Sequence, residues 1–240
     1  MTTRTRNKKA IFPLNAVQWL KLTQLADSAV PIGSAAHSFG VETLTTDETL
    51  TVDELEAFFR DYLTEAGSLE AAYCRAAASL SQNRGPGFAQ DWLALNEDLG
   101  ALKPARESRA ASATLGRRLL QLAANLEQHP RLAEALRVSR EARADVHHST
   151  AFGLVGGVLE VEADTIALCY LQQSLMGLVS ACQRLMPLGQ QRASDLLWRL
   201  KPVIVNAVGD AHVETAACFT PVLDMAAMQH PGLPTRLFIS

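Results

Sequence analysis

The sequence predicts an all-α, single-domain helical bundle, and three observations carry that reading. Alanine and leucine are abundant while Gly and Pro number only 14 and 10 of 240 residues, a balance that favours helices. Apolar and polar residues rarely alternate at period two, the mark of a half-buried strand. Apolar positions instead recur at helical spacing through most of the chain. A chain of this length buries roughly 70% or more of its unfolded surface, enough for a substantial core.

Taken in order, residues 1–15 form a basic arm containing Arg4, Arg6, Lys8 and Lys9, expected to be disordered. Its apolar part, Ala10 to Asn15, is interrupted by Pro13, too broken for the core of a signal peptide. Val17 to Leu25 reads as a first short helix that stops near Pro31. Helix resumes over Phe39 to Leu44, and Thr51 to Glu54 has the spacing of a capping box, in which the two side chains exchange bonds with each other's backbone. A long amphipathic helix follows, with Leu55, Phe59, Leu63, Leu69 and Tyr73 on one face, ending before the Asn83 to Gly87 loop.

A shorter helix runs through Trp92 to Leu102 and breaks at Pro104; another spans Glu107 to Leu126. Small residues between Ser108 and Gly116 invite close approach by a neighbouring helix. Pro130 suits the first turn of a helix reaching Ala144. Beyond His147, Ala151 to Leu159 is wholly apolar, and Ile166 to Leu188 is apolar around nearly its whole circumference, as befits the middle of a bundle. Gly153 and Gly157 form a GxxxG step read as close packing between soluble helices. Pro187 and Gly189 end that segment; Gln190 to Val208 reads as one helix, and Ala211 to Met228 as another with a break at Pro221. No fixed repeat and no linker divides the chain. The domain therefore spans 16–228, followed by a tail at 229–240.

Charge and composition narrow the function. Removing the arm's four cations from the 22 basic residues leaves 18 against 25 acidic ones, so the body is mildly acidic and nucleic-acid binding is disfavoured. Cys74, Cys169, Cys182 and Cys218 are widely spaced, with no CxxC, and read as buried thiols of a cytoplasmic protein. Gln172, Gln173, Gln183 and Arg184 interrupt the best membrane-span candidate, so no membrane role is expected. There is no Walker A loop, dinucleotide loop, HExxH or EF-hand. His147 and His148 diverge by about 100° on a helix and suit capping or packing better than one metal face. His129, His212 and His230 are isolated in sequence and read as structural or surface residues. Glu160, Glu162 and Asp164 make a solvated turn with favourable charge at the next helix N-terminus.

Two segments look functional. Pro31-x-Gly33 with His37-Ser38-Phe39-Gly40 and Glu42 has a hydroxyl beside an imidazole, but not the spacing of a nucleophile elbow; a shaped helix-loop-helix corner is the simpler reading. The chain ends Arg236-Leu237-Phe238-Ile239-Ser240, where Pro231 and Pro234 deny a helix. It is either a frayed tail or a peptide whose apolar anchors dock on a partner.

Together these motifs resemble the UreF family of urease accessory proteins. Pro31 to Glu42 is similar to the family's Pro-x-Gly and His-Ser-x-Gly-x-Glu signature, and Glu107, Ser108, Arg109, Ser112 and Gly116 to its middle motif. His147 to Gly153, Leu185 to Gln190 and Arg236 to Ser240 match three more. Ala35 stands where the family commonly has an aromatic residue, and Pro231, Gly232 and Ile239 replace more polar or charged ones. The resemblance implies a homodimeric scaffold without catalytic residues of its own. It implies partners UreD (also called UreH), the GTPase UreG and urease apoprotein, with nickel handled by the assembled complex and no metal or cofactor permanently bound. It assigns partner contacts to His37, Ser38, Phe39, Glu42, Arg236, Leu237, Phe238 and Ser240, with Arg236 positioned for UreG. Shaping roles fall to Pro31, Gly33, Gly40, Gly116, Gly153, Pro187 and Gly189. The rival reading is a regulator that accelerates or restrains GTP hydrolysis by UreG, an exposed arginine serving as the finger.

Overall fold

A computed structural model describes residues 16–83, 85–213 and 217–240. The basic arm expected at 1–15 lies outside the described residues. Twelve α-helices and no strand occur among the described residues. They are α1 (Ala16–Leu25), α2 (Val41–Thr46), α3 (Leu55–Tyr62), α4 (Ser68–Ser81), α5 (Phe88–Ala101), α6 (Arg106–Glu127), α7 (Pro130–Ala142), α8 (His148–Val158), α9 (Ala163–Leu185), α10 (Gln190–Arg199), α11 (Lys201–Gly209) and α12 (Pro221–Gln229). Helices α3 and α4 form the long amphipathic element expected, joined by a π-helical turn at Leu63–Gly67.

Helix α8 sits at the centre, buried from His148 to Gly157, with α4, α6 and α9 packed around it. Its contact with α4 depends on missing side chains. A Cβ at Gly153 would stand 2.0 Å from the Cys74 carbonyl oxygen, and one at Gly157 2.4 Å from that of Ala78. Backbone meets backbone there, so the GxxxG step is a soluble close crossing. Gly116 plays the same part for α6, where a Cβ would fall 2.1 Å from the Val146 carbonyl. Trp92, Phe59, Phe88 and Phe152 fill the core around these crossings, each stabilising the fold by about 1.5–3 kcal/mol through apolar burial.

The polar residues next to the core are tied down locally. Asn96 Oδ1 accepts from the His147 N–H at 2.9 Å and the Thr150 hydroxyl at 2.6 Å, and the Trp92 Nε1–H donates to Ser139 Oγ at 2.9 Å. Glu162 caps α9 by accepting from the N–H groups of Asp164 and Thr165, the N-terminal charge the acidic cluster led us to expect. His129 caps α7 just before Pro130, its Nδ1 accepting from the Arg131 N–H at 3.2 Å.

Four expectations need correction. Gln190 to Val208 is two helices, because Pro202 lacks an N–H and falls within the first turn of α11. The described residues of 211–220 contain no α-helix, and the last helix begins at Pro221. The capping box is half made. Glu54 accepts from the Thr51 N–H at 2.9 Å, but the Thr51 hydroxyl donates to that same carboxylate at 2.6 Å instead of accepting from the backbone. Finally, α9 is long and apolar enough by composition to cross a membrane despite its glutamines; half of its most apolar stretch is packed inside the bundle.

Candidate functional site

The corner after α1 is built by backbone chemistry. Asp27 Oδ1 accepts from the Ala29 N–H at 2.7 Å, closing a turn ahead of Pro31. A single 3-10 turn, Ser34–Ala36, follows Gly33, and Gly40 opens α2 with φ of 93°. At Gly40 a Cβ would also meet the Leu223 carbonyl oxygen at 2.9 Å, so both conformation and space exclude a side chain. Arginines from two other helices brace the loop: Arg118 Nη1 donates to the Ile32 carbonyl at 3.0 Å and Arg184 Nη2 to that of Ala35 at 2.7 Å.

The tail is seated on this corner within the same chain. Ile239 N–H donates to the Ala36 carbonyl at 2.8 Å, and the Ser38 and Phe39 N–H groups donate to the main-chain oxygen of Ser240 at 2.5 and 3.2 Å. The Ser38 hydroxyl donates to the same oxygen at 3.0 Å, and His37 Nδ1 shares a 2.8 Å hydrogen bond with Ser240 Oγ. His37 and Ser38 are thus each engaged with Ser240 and form no dyad. Burial, reinforced by Arg118, holds the His37 imidazole below its usual titration range.

Glu42 anchors the other half of the tail. Only 2% exposed, it accepts from the N–H groups of Leu237 at 2.6 Å and Phe238 at 3.2 Å. His230, wholly buried, lies between two carboxylates, with Nε2 2.8 Å from Glu42 and Nδ1 2.8 Å from Glu107. Arg236 adds a loose pair to Glu107 at 3.9 Å. Over the last four residues exposed and buried side chains alternate. Phe238 points inward beneath the Arg184 guanidinium, 4.1 Å from its ring centre, and Ser240 is buried, whereas Leu237 and Ile239 are each 67% exposed. Helix α12, packed on α2, exposes Val222, Met225 and Met228. The frayed-tail reading is therefore replaced by a docked one, and two of the three apolar anchors, Leu237 and Ile239, remain open.

The structure joins the sequence-predicted residues His37, Ser38, Phe39, Glu42, Arg236, Leu237, Phe238 and Ser240 into one constellation. Gly116 and Gly153 serve the core instead, while Gly189 precedes α10 with open space around it and Pro187 is exposed at the end of α9. Sequence reasoning missed His230 as the bridge with Glu107 as its second partner, and Arg184 as the brace over Phe238; Glu107 was visible only as part of the middle motif.

Beneath the corner lies a cavity of about 150 Å³ that reaches Glu70, Lys103, His148 and Gln173. Burial pushes the Glu70 carboxyl up, but the Lys103 ammonium bound to it, Ser149 and His147 together hold it below the ordinary range. Burial drives His147 and His148 down to about 4, so both are neutral near pH 7. No three His, Cys, Asp or Glu side chains among the described residues come together as a metal site.

What the fold and site define is an all-α interaction protein. Its polar constellation fastens the two ends of one domain together and leaves apolar anchors outside. The model of the UreF family matches residues 50–201. Urease accessory protein UreF of Geobacillus kaustophilus is 32% identical over 93% of this chain and 98% of its own length. Its namesakes from Bacillus sp. strain TB-90 and Actinobacillus pleuropneumoniae are each 29% identical, covering 92% and 91% of the chain and 98% and 97% of themselves. The chain belongs to the UreF family of non-catalytic urease accessory proteins, and its role is in urease maturation.

Proposed function

We propose that this protein acts in the cytoplasm as a homodimeric scaffold for nickel insertion into urease apoprotein, binding UreD (UreH) and recruiting the GTPase UreG. Nickel is cargo of the assembled complex, with no ion permanently resident in this chain. The observation that supports the reading most directly is the alternation of the docked tail. Its inward residues fasten it to the corner, while Leu237 and Ile239 stand in water. Each side chain is already about a third buried, so covering either would contribute about 1–2 kcal/mol to an interface. A preorganised tail also spares a partner the entropy of ordering it.

Coupling to UreG needs contacts that differ between its nucleotide states. Arg236, half-exposed and held only loosely by Glu107, is the side chain of the tail placed to supply one. Co-expression with UreD and UreG, followed by size-exclusion chromatography and nickel analysis, tests the proposal. Co-elution with UreD, and with UreG once UreD is present, is expected; absence from the UreD fraction overturns it.

A further inference from the structure

We propose that residues 36–42 of the corner form a peptide receptor in their own right, and that residues 237–240 are its tethered ligand, read through Phe238 and Ser240 and not through Leu237 or Ile239. The inference does not rest on the partners proposed above. Its first support is a strained backbone. Phe39 has a φ of 52°, in the left-handed region that non-glycine residues rarely adopt, and Gly40 follows at 93°. That turn aims three donors at one point. The N–H groups of Ser38 and Phe39 and the Ser38 hydroxyl lie 2.5, 3.2 and 3.0 Å from the same main-chain oxygen of Ser240. Consecutive N–H groups that converge in this way make a nest for an electron-rich oxygen.

The rest of the tail's main chain is read as continuously. The Leu237 and Phe238 N–H groups donate to the two oxygens of Glu42 at 2.6 and 3.2 Å, and the Ile239 N–H donates to the Ala36 carbonyl at 2.8 Å. Main-chain bonds of this kind give affinity with any residue, so the sequence is chosen by the side chains that turn inward. Phe238 is buried under the Arg184 guanidinium. Ser240 is buried with its hydroxyl 2.8 Å from His37 Nδ1, a bond that forms whichever of the two donates. The pattern read is therefore an aromatic residue and, two positions on, a serine.

The receptor is held in shape by bonds that do not involve residues 237–240. Arg118 and Arg184 fasten the Ile32 and Ala35 carbonyls, the Val41 and Leu44 N–H groups donate to the Ser38 and Gly40 carbonyls, and His230 Nε2 lies 2.8 Å from Glu42. A site shaped in advance spares its ligand the cost of ordering it, so the segment should bind without its tether. Tethering raises the local concentration to about the millimolar range, which keeps the site filled by the chain's own tail.

The test is a titration, read by fluorescence anisotropy, of a labelled peptide of residues 233–240 into the full chain carrying Phe238→Asp, whose own tail is released. Saturable binding is expected. Phe238→Ala in the peptide should weaken it by at least about a hundredfold. Ser240→Ala should weaken it by about fivefold to a hundredfold, because the buried His37 loses its partner. Leu237→Ala and Ile239→Ala should each change it by less than about fivefold. In a host that also carries His37→Ala, the Ser240→Ala peptide should bind within about twofold of the unsubstituted one. The receptor is overturned by no saturable binding to a host with wild-type α8 exchange protection and an unprotected tail, or by a Ser240→Ala penalty that persists without His37. Should Phe238→Asp fail to fold or keep its tail docked, the same coupling is read in the otherwise unaltered chain, by hydrogen exchange of residues 233–240 in His37→Ala, Ser240→Ala and the double variant. The two losses should fall short of additivity by at least about threefold; additive losses overturn the proposal.

Discussion

Replacing Glu42 by alanine removes in one step the acceptor of three bonds, from His230, Leu237 N–H and Phe238 N–H. It also strips one of the two carboxylates from a wholly buried imidazole. Removing a buried acceptor and leaving its donors unsatisfied costs about 1–3 kcal/mol, which corresponds to a shift of between about fivefold and a hundredfold in the docking equilibrium. The loss does not spread to the bundle, because a released tail returns its N–H groups to water and leaves the α4, α8 and α9 crossings untouched. Exchange protection of residues 233–240 should therefore collapse in Glu42→Ala while protection of α8 is unchanged. Circular dichroism should show the same helix content. Wild-type protection of the tail in the variant would refute the assignment of Glu42 as its anchor, and simultaneous loss of α8 protection would refute the claim that the tail is separable from the core.

Two further predictions concern the bundle. Gly153→Ala places a Cβ 2.0 Å from a backbone carbonyl on α4 and should lower stability by at least about 1–3 kcal/mol. Gly177→Ala, on the same chain but with nothing within 4 Å, should be neutral or gain up to about 1 kcal/mol from helix propensity. Equal chemical-denaturation midpoints for the two variants would contradict the close crossing. Acid should also destabilise the protein through His147 and His148, whose folded values near 4 lie below the ordinary imidazole range. Their contribution is complete above about pH 6.5 and is lost as pH falls from there towards about 4. A denaturation midpoint that is flat over that window would refute it.

Much of the helical frame was legible because each signal is local. Pro130 at the head of α7, the apolar run of α8 and the small residues at Gly116 and Gly153 all act within one or two turns of chain. The errors came where a local rule was overridden or left unapplied. Pro202 splits α10 from α11 although apolar periodicity runs through it. Thr51 turns its hydroxyl to the Glu54 carboxylate, a charge-assisted hydrogen bond, and not to the backbone N–H that a capping box would satisfy. The candidate site was half visible. The corner and the tail each announced themselves by Pro and Gly chemistry, and both were singled out. Their mutual contact was not, because Ser38 and Ser240 are 202 positions apart and nothing in either segment names the other. His230 reads as an isolated histidine for the same reason, since its two carboxylates are 188 and 123 positions away.

The central claim is that the docked tail presents its outward side chains to UreD, and it is tested most directly by co-purification of UreD with the wild type and with a Leu237→Asp, Ile239→Asp double variant. Both side chains face water, so the variant should keep the fold and the docked tail. The account predicts that the wild type elutes with UreD and that the double variant elutes alone. Equal co-elution of the two would contradict it.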